Sequence, residues 1–337
     1  MDKRGALTSW LNKFQDIFSN LLSKRSSSSN CYATLNSTRV RDIMVKDVLC
    51  IKKDDKLTEA AHIMIGAHAS CLVVLLGEKP IGIITERDFV KKLDMNKNEA
   101  HDLIVQDIMT KQLFSVNSSQ SLIEAQKIMR EHKFRKLLIV ENDSLKGIIT
   151  QTDLCWAVAD LNVRYKQPPL VESIMSKKVF MISQDDKFLK AKKLMAVNDV
   201  GSVLVVSKGE VKGMFTEFDL VSEFFMNPNR LKHSYMSELM TNPVVCISPD
   251  FDVFQINKIM LKHNFRRLPV VKNNKLVGVV TQTDVAKSLY EFIEKNKTIE
   301  CDKGFKQDKE PLYCIKKAGC MILYEKKIED KPEPKKA

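Results

Sequence analysis

The feature that most constrains this 337-residue chain is a pattern that returns four times at a nearly constant period. An apolar-Met pair stands at Ile43-Met44, Ile108-Met109, Ile174-Met175 and Leu239-Met240, and successive methionines lie 65, 66 and 65 residues apart. A Thr-x-x-Asp follows in each copy, at Thr85/Asp88, Thr150/Asp153, Thr216/Asp219 and Thr281/Asp284, with every aspartate 44 residues after its methionine. Self-similarity at a fixed spacing marks one repeated structural unit. Between the landmarks the apolar residues keep their register, as in Leu57, Ala60, Ile63 and Met64 of the first copy and Val253, Ile256, Ile259 and Met260 of the last. Their offsets place them on one face of a helix.

The remainder of each unit follows from that helix. A short strand precedes it, as at Val48 to Ile51. A buried strand follows, at Cys71 to Leu76, Leu137 to Val140, Val203 to Val206 or Leu268 to Val271, and a tight turn leads to another, ending at the threonine. Each unit therefore reads β-α-β-β-α, an α/β (α+β) organisation whose small sheet needs cover, so the units are expected to associate in pairs. Copies two and four share His-x-Phe-Arg-(Lys/Arg)-Leu at 132–137 and 263–268 and carry Thr-Gln-Thr-Asp. Copies one and three have Ser70 or Ser202 before the middle strand and Thr-Glu-x-Asp. The order is thus A-B-A-B, with Tyr165 to Pro169 as the linker between two pairs. The expected boundaries are 1–39 for an N-terminal helix and Ser-rich linker, 40–100, 105–165, 171–230 and 236–296 for the repeats, and 297–337 for a C-terminal appendage and tail.

The Ile-Met start, the helix register, the Gly-(Ile/Val/Met)-(Ile/Val/Phe)-Thr-x-x-Asp end and the 65-residue period resemble tandem CBS domains, the module named after cystathionine beta-synthase. The resemblance implies two Bateman modules packed as a disc, with adenosine-type ligands in clefts between repeats. The duplicated layout is similar to that of the gamma subunits of AMP-activated protein kinase.

Two readings of Thr-x-x-Asp stand side by side. As a capping box, the threonine accepts from the amide three residues on and the acid reaches back. As a ligand site, the helix N-terminus favours phosphate and a carboxylate accepts both hydroxyls of a ribose. In the resembling family the aspartate commonly binds the ribose and the threonine approaches the phosphate, which implies Asp88, Asp153, Asp219 and Asp284 with Thr85, Thr150, Thr216 and Thr281. The matching positions of the kinase gamma subunits also imply phosphate contacts for Arg135, Lys136, Arg266 and Arg267, and arginine suits such contacts. The alternative is that these are surface charges whose stems cover apolar area. Arg87 is a further candidate, with Phe218 in its place in copy three. AMP, ADP, ATP and S-adenosylmethionine all stay open as the regulatory ligand, with no cofactor and no metal expected.

The net charge of +12 points to anionic partners. Eight cysteines without a C-x-x-C suggest reduced thiols in a cytoplasmic protein. No apolar run approaches a membrane span, and no secretory signal is expected. An enzyme is not expected either, because the repeats leave only 1–39 and 297–337, and the six histidines form no cluster. Nucleic-acid binding is disfavoured for want of a helix-turn-helix or base-stacking pattern. Residues 3–25 read as an amphipathic helix carrying Leu7, Trp10, Leu11, Phe14, Ile17, Phe18, Leu21 and Leu22 on one face. It is open to docking on the protein itself or a sister chain in a homodimer, on a partner protein, or peripherally on a membrane surface. Cys301, Cys314 and Cys320 lack zinc-knuckle spacing, and Leu312, Tyr313, Ile315 and Met321 to Tyr324 are expected to form a small strand or helix appended to the disc.

Overall fold

The computed structural model describes residues 29–94, 102–159, 161, 167–273, 275–301, 312–317 and 320–325. Before the first repeat come β1 (Ser29–Asn30) and α1 (Cys31–Ser37). Repeat one is α2 (Val40–Ile43), β2 (Cys50–Lys52), α3 (Leu57–Gly66), β3 (Cys71–Leu76), β4 (Lys79–Thr85) and α4 (Glu86–Lys92). Repeat two is α5 (Val105–Ile108), β5 (Ser115–Val116), α6 (Leu122–Glu131), β6 (Lys136–Glu141), β7 (Ser144–Thr150) and α7 (Gln151–Ala159). Repeat three is α8 (Val171–Ile174), β8 (Met181–Ser183), α9 (Phe188–Asn198), β9 (Ser202–Ser207), β10 (Glu210–Thr216) and α10 (Glu217–Met226), after which α11 (Pro228–Leu231) leads on. Repeat four is α12 (Met236–Leu239), β11 (Val244–Ile247), α13 (Val253–His263), β12 (Arg267–Lys272), β13 (Lys275–Thr281) and α14 (Gln282–Lys295). In every repeat the first strand pairs parallel with the second, which needs the crossover helix between them, and the second and third form a hairpin with a register shift.

The Ile-Met segments are exchanged between repeats. Val45 bridges Ile148 of repeat two and Thr110 bridges Ile83 of repeat one; Ser176 with Val279 and Thr241 with Met214 do the same in the second pair. Each methionine lies against the glycine that opens the partner's Gly-x-x-Thr. A Cβ on Gly147 would stand 2.8 Å from the Met44 sulfur, and one on Gly82 2.7 Å from that of Met109. Gly278 and Gly213 meet Met175 and Met240 in the same way. The two landmarks of the repeat are therefore the two sides of one contact, made between copies.

Four contacts close a ring of repeats. Within each pair the sheets meet, burying Val73, Leu138 and Ile148 in one pair and Leu204, Met214 and Cys246 in the other. Between pairs the helices meet. Repeats one and three share a core that includes Leu57, Phe89, Phe188 and Phe224. Repeats two and four share one with Leu122, Leu154, Ile256 and Leu289. Cys31 and Leu35 of α1 are buried in this second core, so the end of the stretch 1–39 packs on the repeats. β1 pairs with β14 (Glu300–Cys301) beyond α14. The C-terminal appendage takes the strand option: β15 (Leu312–Lys317) and β16 (Cys320–Glu325) form a hairpin that joins β11 in parallel, giving repeat four a five-stranded sheet. The amphipathic stretch 3–25 and the tail 326–337 lie outside the described residues. Among the described residues, no helix is long and apolar enough to cross a membrane.

Candidate functional site

All four Thr-x-x-Asp units are built as capping boxes. The backbone amide and the hydroxyl of the threonine both donate to Oδ2 of the aspartate, at 2.8 and 2.6 Å for Thr85 with Asp88 and 2.7 and 2.7 Å for Thr150 with Asp153. Thr216 with Asp219 and Thr281 with Asp284 repeat this within 0.1 Å or so. The other carboxylate oxygen, Oδ1, divides the copies. In copy one it accepts from Thr110 Oγ1 at 2.9 Å and pairs with Lys92 at 2.8 Å, and in copy three it accepts from Thr241 Oγ1 at 3.4 Å. Both hydroxyls belong to the exchanged segments, just after Met109 and Met240. The residue after Met44 is Val45, which has no hydroxyl, and the one after Met175 is Ser176, whose hydroxyl donates to the Lys178 carbonyl. The Oδ1 atoms of Asp153 and Asp284 thus have no hydroxyl supplied by the exchanged segment.

Those two aspartates face a cavity of about 1370 Å³ lined by all four repeats, larger than the roughly 300–1,000 Å³ usual for one small ligand. Thr85, Arg87, Arg135, Lys136, Thr150, Asp153, Arg266, Arg267, Thr281 and Asp284 line it; Asp88, Thr216 and Asp219 do not. Burial pushes the Asp153 carboxyl up to about 6 against the pull of its two Thr150 hydrogen bonds, and burial likewise raises Asp219.

The residue after each threonine, Glu86, Gln151, Glu217 or Gln282, is buried at the centre of the ring. In the B copies these glutamines pair symmetrically across the modules, each accepting from a threonine of the other: Thr152 Oγ1 to Gln282 Oε1 and Thr283 Oγ1 to Gln151 Oε1, both 2.9 Å. In the A copies the glutamates draw in the arginines. Arg266 Nη1 donates to both oxygens of Glu86 at 2.9 and 3.1 Å, and this attraction raises Arg266 above its ordinary range. Glu217 Oε1 accepts from Arg87 Nε at 2.9 Å. Its Oε2 stands 3.7 Å from Arg135 and 4.0 Å from Arg267, beyond hydrogen bonding. Burial acts to raise Glu217, but Arg135, Arg87 and Arg267 outweigh it and hold the carboxyl below its usual range. Burial lowers the Arg267 guanidinium to about 10, and its Nη1 is buried without a hydrogen-bond partner among the described residues. This guanidinium fills the space above Gly201, where a Cβ would be 2.6 Å from Nη2. In copy one that place is Ala69, and the slimmer Lys136 donates to Ser70 instead.

Arg87, Arg135, Lys136, Arg266 and Arg267, singled out from sequence, all line the cavity. The two glutamates that hold them were not singled out. Their signal was visible as Thr-Glu in A copies against Thr-Gln in B copies, but partners across the modules, such as Arg266 and Glu86, are 180 residues apart.

A family model described as the CBS domain matches four times, at 40–94, 105–160, 171–225 and 236–291. The chain belongs to the CBS-domain family. Protein MJ1225 of Methanocaldococcus jannaschii is 29% identical over 206 residues, covering 58% of this chain and 72% of its own length. Protein MJ1404 of the same organism is 26% identical over 280 residues, which cover 78% of this chain and 64% of that protein. The solved structure of MJ1225, described there as a proposed archaeal homologue of the gamma subunit of AMP-activated protein kinase, superposes with a TM-score of 0.68 at 21% identity, covering 74% of this chain and 99% of that one. A conserved protein of Pyrococcus horikoshii gives 0.52 at 21%, covering 75% and 100%. These likenesses establish the fold of a four-repeat CBS protein.

Proposed function

We propose that this protein is a non-catalytic regulatory sensor of the cytoplasm that takes an adenine nucleotide (AMP, ADP or ATP) between its CBS repeats and passes the occupancy to a partner protein. The division among the four aspartates carries the reading. Asp153 and Asp284 lack the threonine that occupies Oδ1 in the A copies, and they stand in the cavity where Arg135 and Arg267 have donors to spare. A ribose offers two hydroxyls to such a carboxylate, and a phosphate offers acceptors to such guanidiniums. A buried donor left unpaired costs about 1–3 kcal/mol, which an anionic ligand would recover. The cationic sulfonium of S-adenosylmethionine would meet repulsion here.

Calorimetric titration of the full chain with AMP, ADP, ATP and S-adenosylmethionine tests the proposal. At least one phosphorylated ligand should bind, and Asp153→Ala with Asp284→Ala should abolish it. Folded protein that responds to none of the four rejects the reading. A second reading, a ligand-independent scaffold, draws on the self-contained capping boxes at Asp88 and Asp219; it expects all four Asp→Ala changes to cost stability alike.

A further inference from the structure

The cation cluster at the centre of the cavity is not uniformly available. Arg266 is held by two short hydrogen bonds to Glu86, whose side chain is 7% exposed and which itself lines the cavity. Arg135 and Arg267 both approach the same oxygen of Glu217, and neither forms a hydrogen bond to it. Glu217 lies behind them, outside the cavity lining. On one side of the centre two guanidiniums approach a carboxylate without bonding it, and on the other Glu86 takes Nη1 of Arg266 and stands beside it in the cavity lining.

We propose that Glu86 is a specificity-determining residue that stands in for a phosphate group on Arg266, so that the cavity seats one phosphate, at Arg135 and Arg267, and turns away a longer polyphosphate chain. A second phosphate reaching towards Arg266 would meet the Glu86 carboxylate, and a like charge placed in a poorly solvated site is repelled strongly. The expected ligand class is then a nucleoside monophosphate rather than a triphosphate. This inference rests on the nucleotide reading for its biological meaning, but inorganic anions test it without any nucleoside.

Inorganic phosphate and pyrophosphate are titrated by calorimetry into the full chain, into Glu86→Gln, and into Glu86→Gln combined with Arg266→Gln. Thermal unfolding confirms that each variant is folded; glutamine keeps the shape of Glu86 and one acceptor for Arg266. The ratio of pyrophosphate to phosphate affinity should rise about tenfold in Glu86→Gln, equal to about 1.4 kcal/mol. It should return towards the parent value in the double variant, because the gain runs through Arg266. An unchanged ratio, an absence of binding in both parent and variant, or a gain that survives loss of Arg266 overturns the proposal. Parallel titration with adenosine and AMP judges the nucleotide reading separately: if neither binds while the pyrophosphate ratio shifts, that reading fails and the role of Glu86 stands.

Discussion

Asp153 is buried, its exposure only 1%, and no cation pairs with it among the described residues; burying a carboxylate in this way costs stability. Its carboxyl titrates near 6 in the folded protein against 3.8 ordinarily, so the folded state holds the proton more tightly than the unfolded one. The contribution to stability is therefore greatest below pH 4 and is lost as pH rises through 4 to 6, a difference on the order of 3 kcal/mol. Asp153→Asn keeps an oxygen for the two Thr150 donors and removes the charge. It should be more stable than the parent at pH 7.5, with the gap closing as pH falls to about 4, as measured by urea unfolding at each pH. Asp88→Asn should behave oppositely at neutral pH, losing the Lys92 pair and destabilising by about 1–3 kcal/mol. A variant at 153 that destabilises as much as one at 88 would mean that the B-copy aspartate serves only as a helix cap.

At the scale of elements, the exchanged segment ties a short, glycine-opened strand of one repeat to the methionine of its partner. Alanine at any of the four glycines must push that methionine away, but the backbone decides how costly this is. A Cβ at Gly278 would lie 2.8 Å from the Ser176 carbonyl oxygen, whereas one at Gly82 would lie 3.3 Å from that of Thr110. Gly278→Ala is expected to cost about 1–3 kcal/mol, as overpacking generally does, and more than Gly82→Ala, in paired unfolding experiments. Equal costs would show that only the flexible methionine is displaced. The elements themselves were legible in sequence, since β3 and the helical register of α3 follow from local apolar spacing that repeats four times. The exchange was not, because Met44 reads as the start of its own unit and nothing local says that it packs on Gly147. The same limit hid Glu86 and Glu217: the Thr-Glu alternation could be read, but the arginines that explain it arrive from other repeats. Helix α1 escaped for another reason, since it precedes the repeat and shares none of its register.

Across the whole molecule, the helical faces of the two pairs are each other's cover. Phe89 of repeat one packs edge-on against Phe224 of repeat three at 5.8 Å between ring centres, and Tyr290 of repeat four donates to the Leu154 carbonyl of repeat two at 3.3 Å. A fragment comprising residues 40–167 would keep its sheet-to-sheet contact but expose Phe89, Val90, Leu154 and Val158, all essentially inaccessible in the full chain. Large contiguous apolar faces do not stay in water as monomers. Because the two pairs are related by a pseudo-twofold, a second copy of the fragment offers nearly the surface that the missing pair supplied, and a self-complementary face favours a closed dimer. The fragment should therefore sediment as a dimer, and Phe89→Glu should shift it towards monomer or aggregate without the same effect at an exposed control such as Lys52. A stable, monomeric fragment would show that each pair is self-sufficient. The cavity, which draws its aspartates from repeats two and four and is lined by residues of all four repeats, exists only when the two pairs meet, so whatever changes their packing changes the site as well.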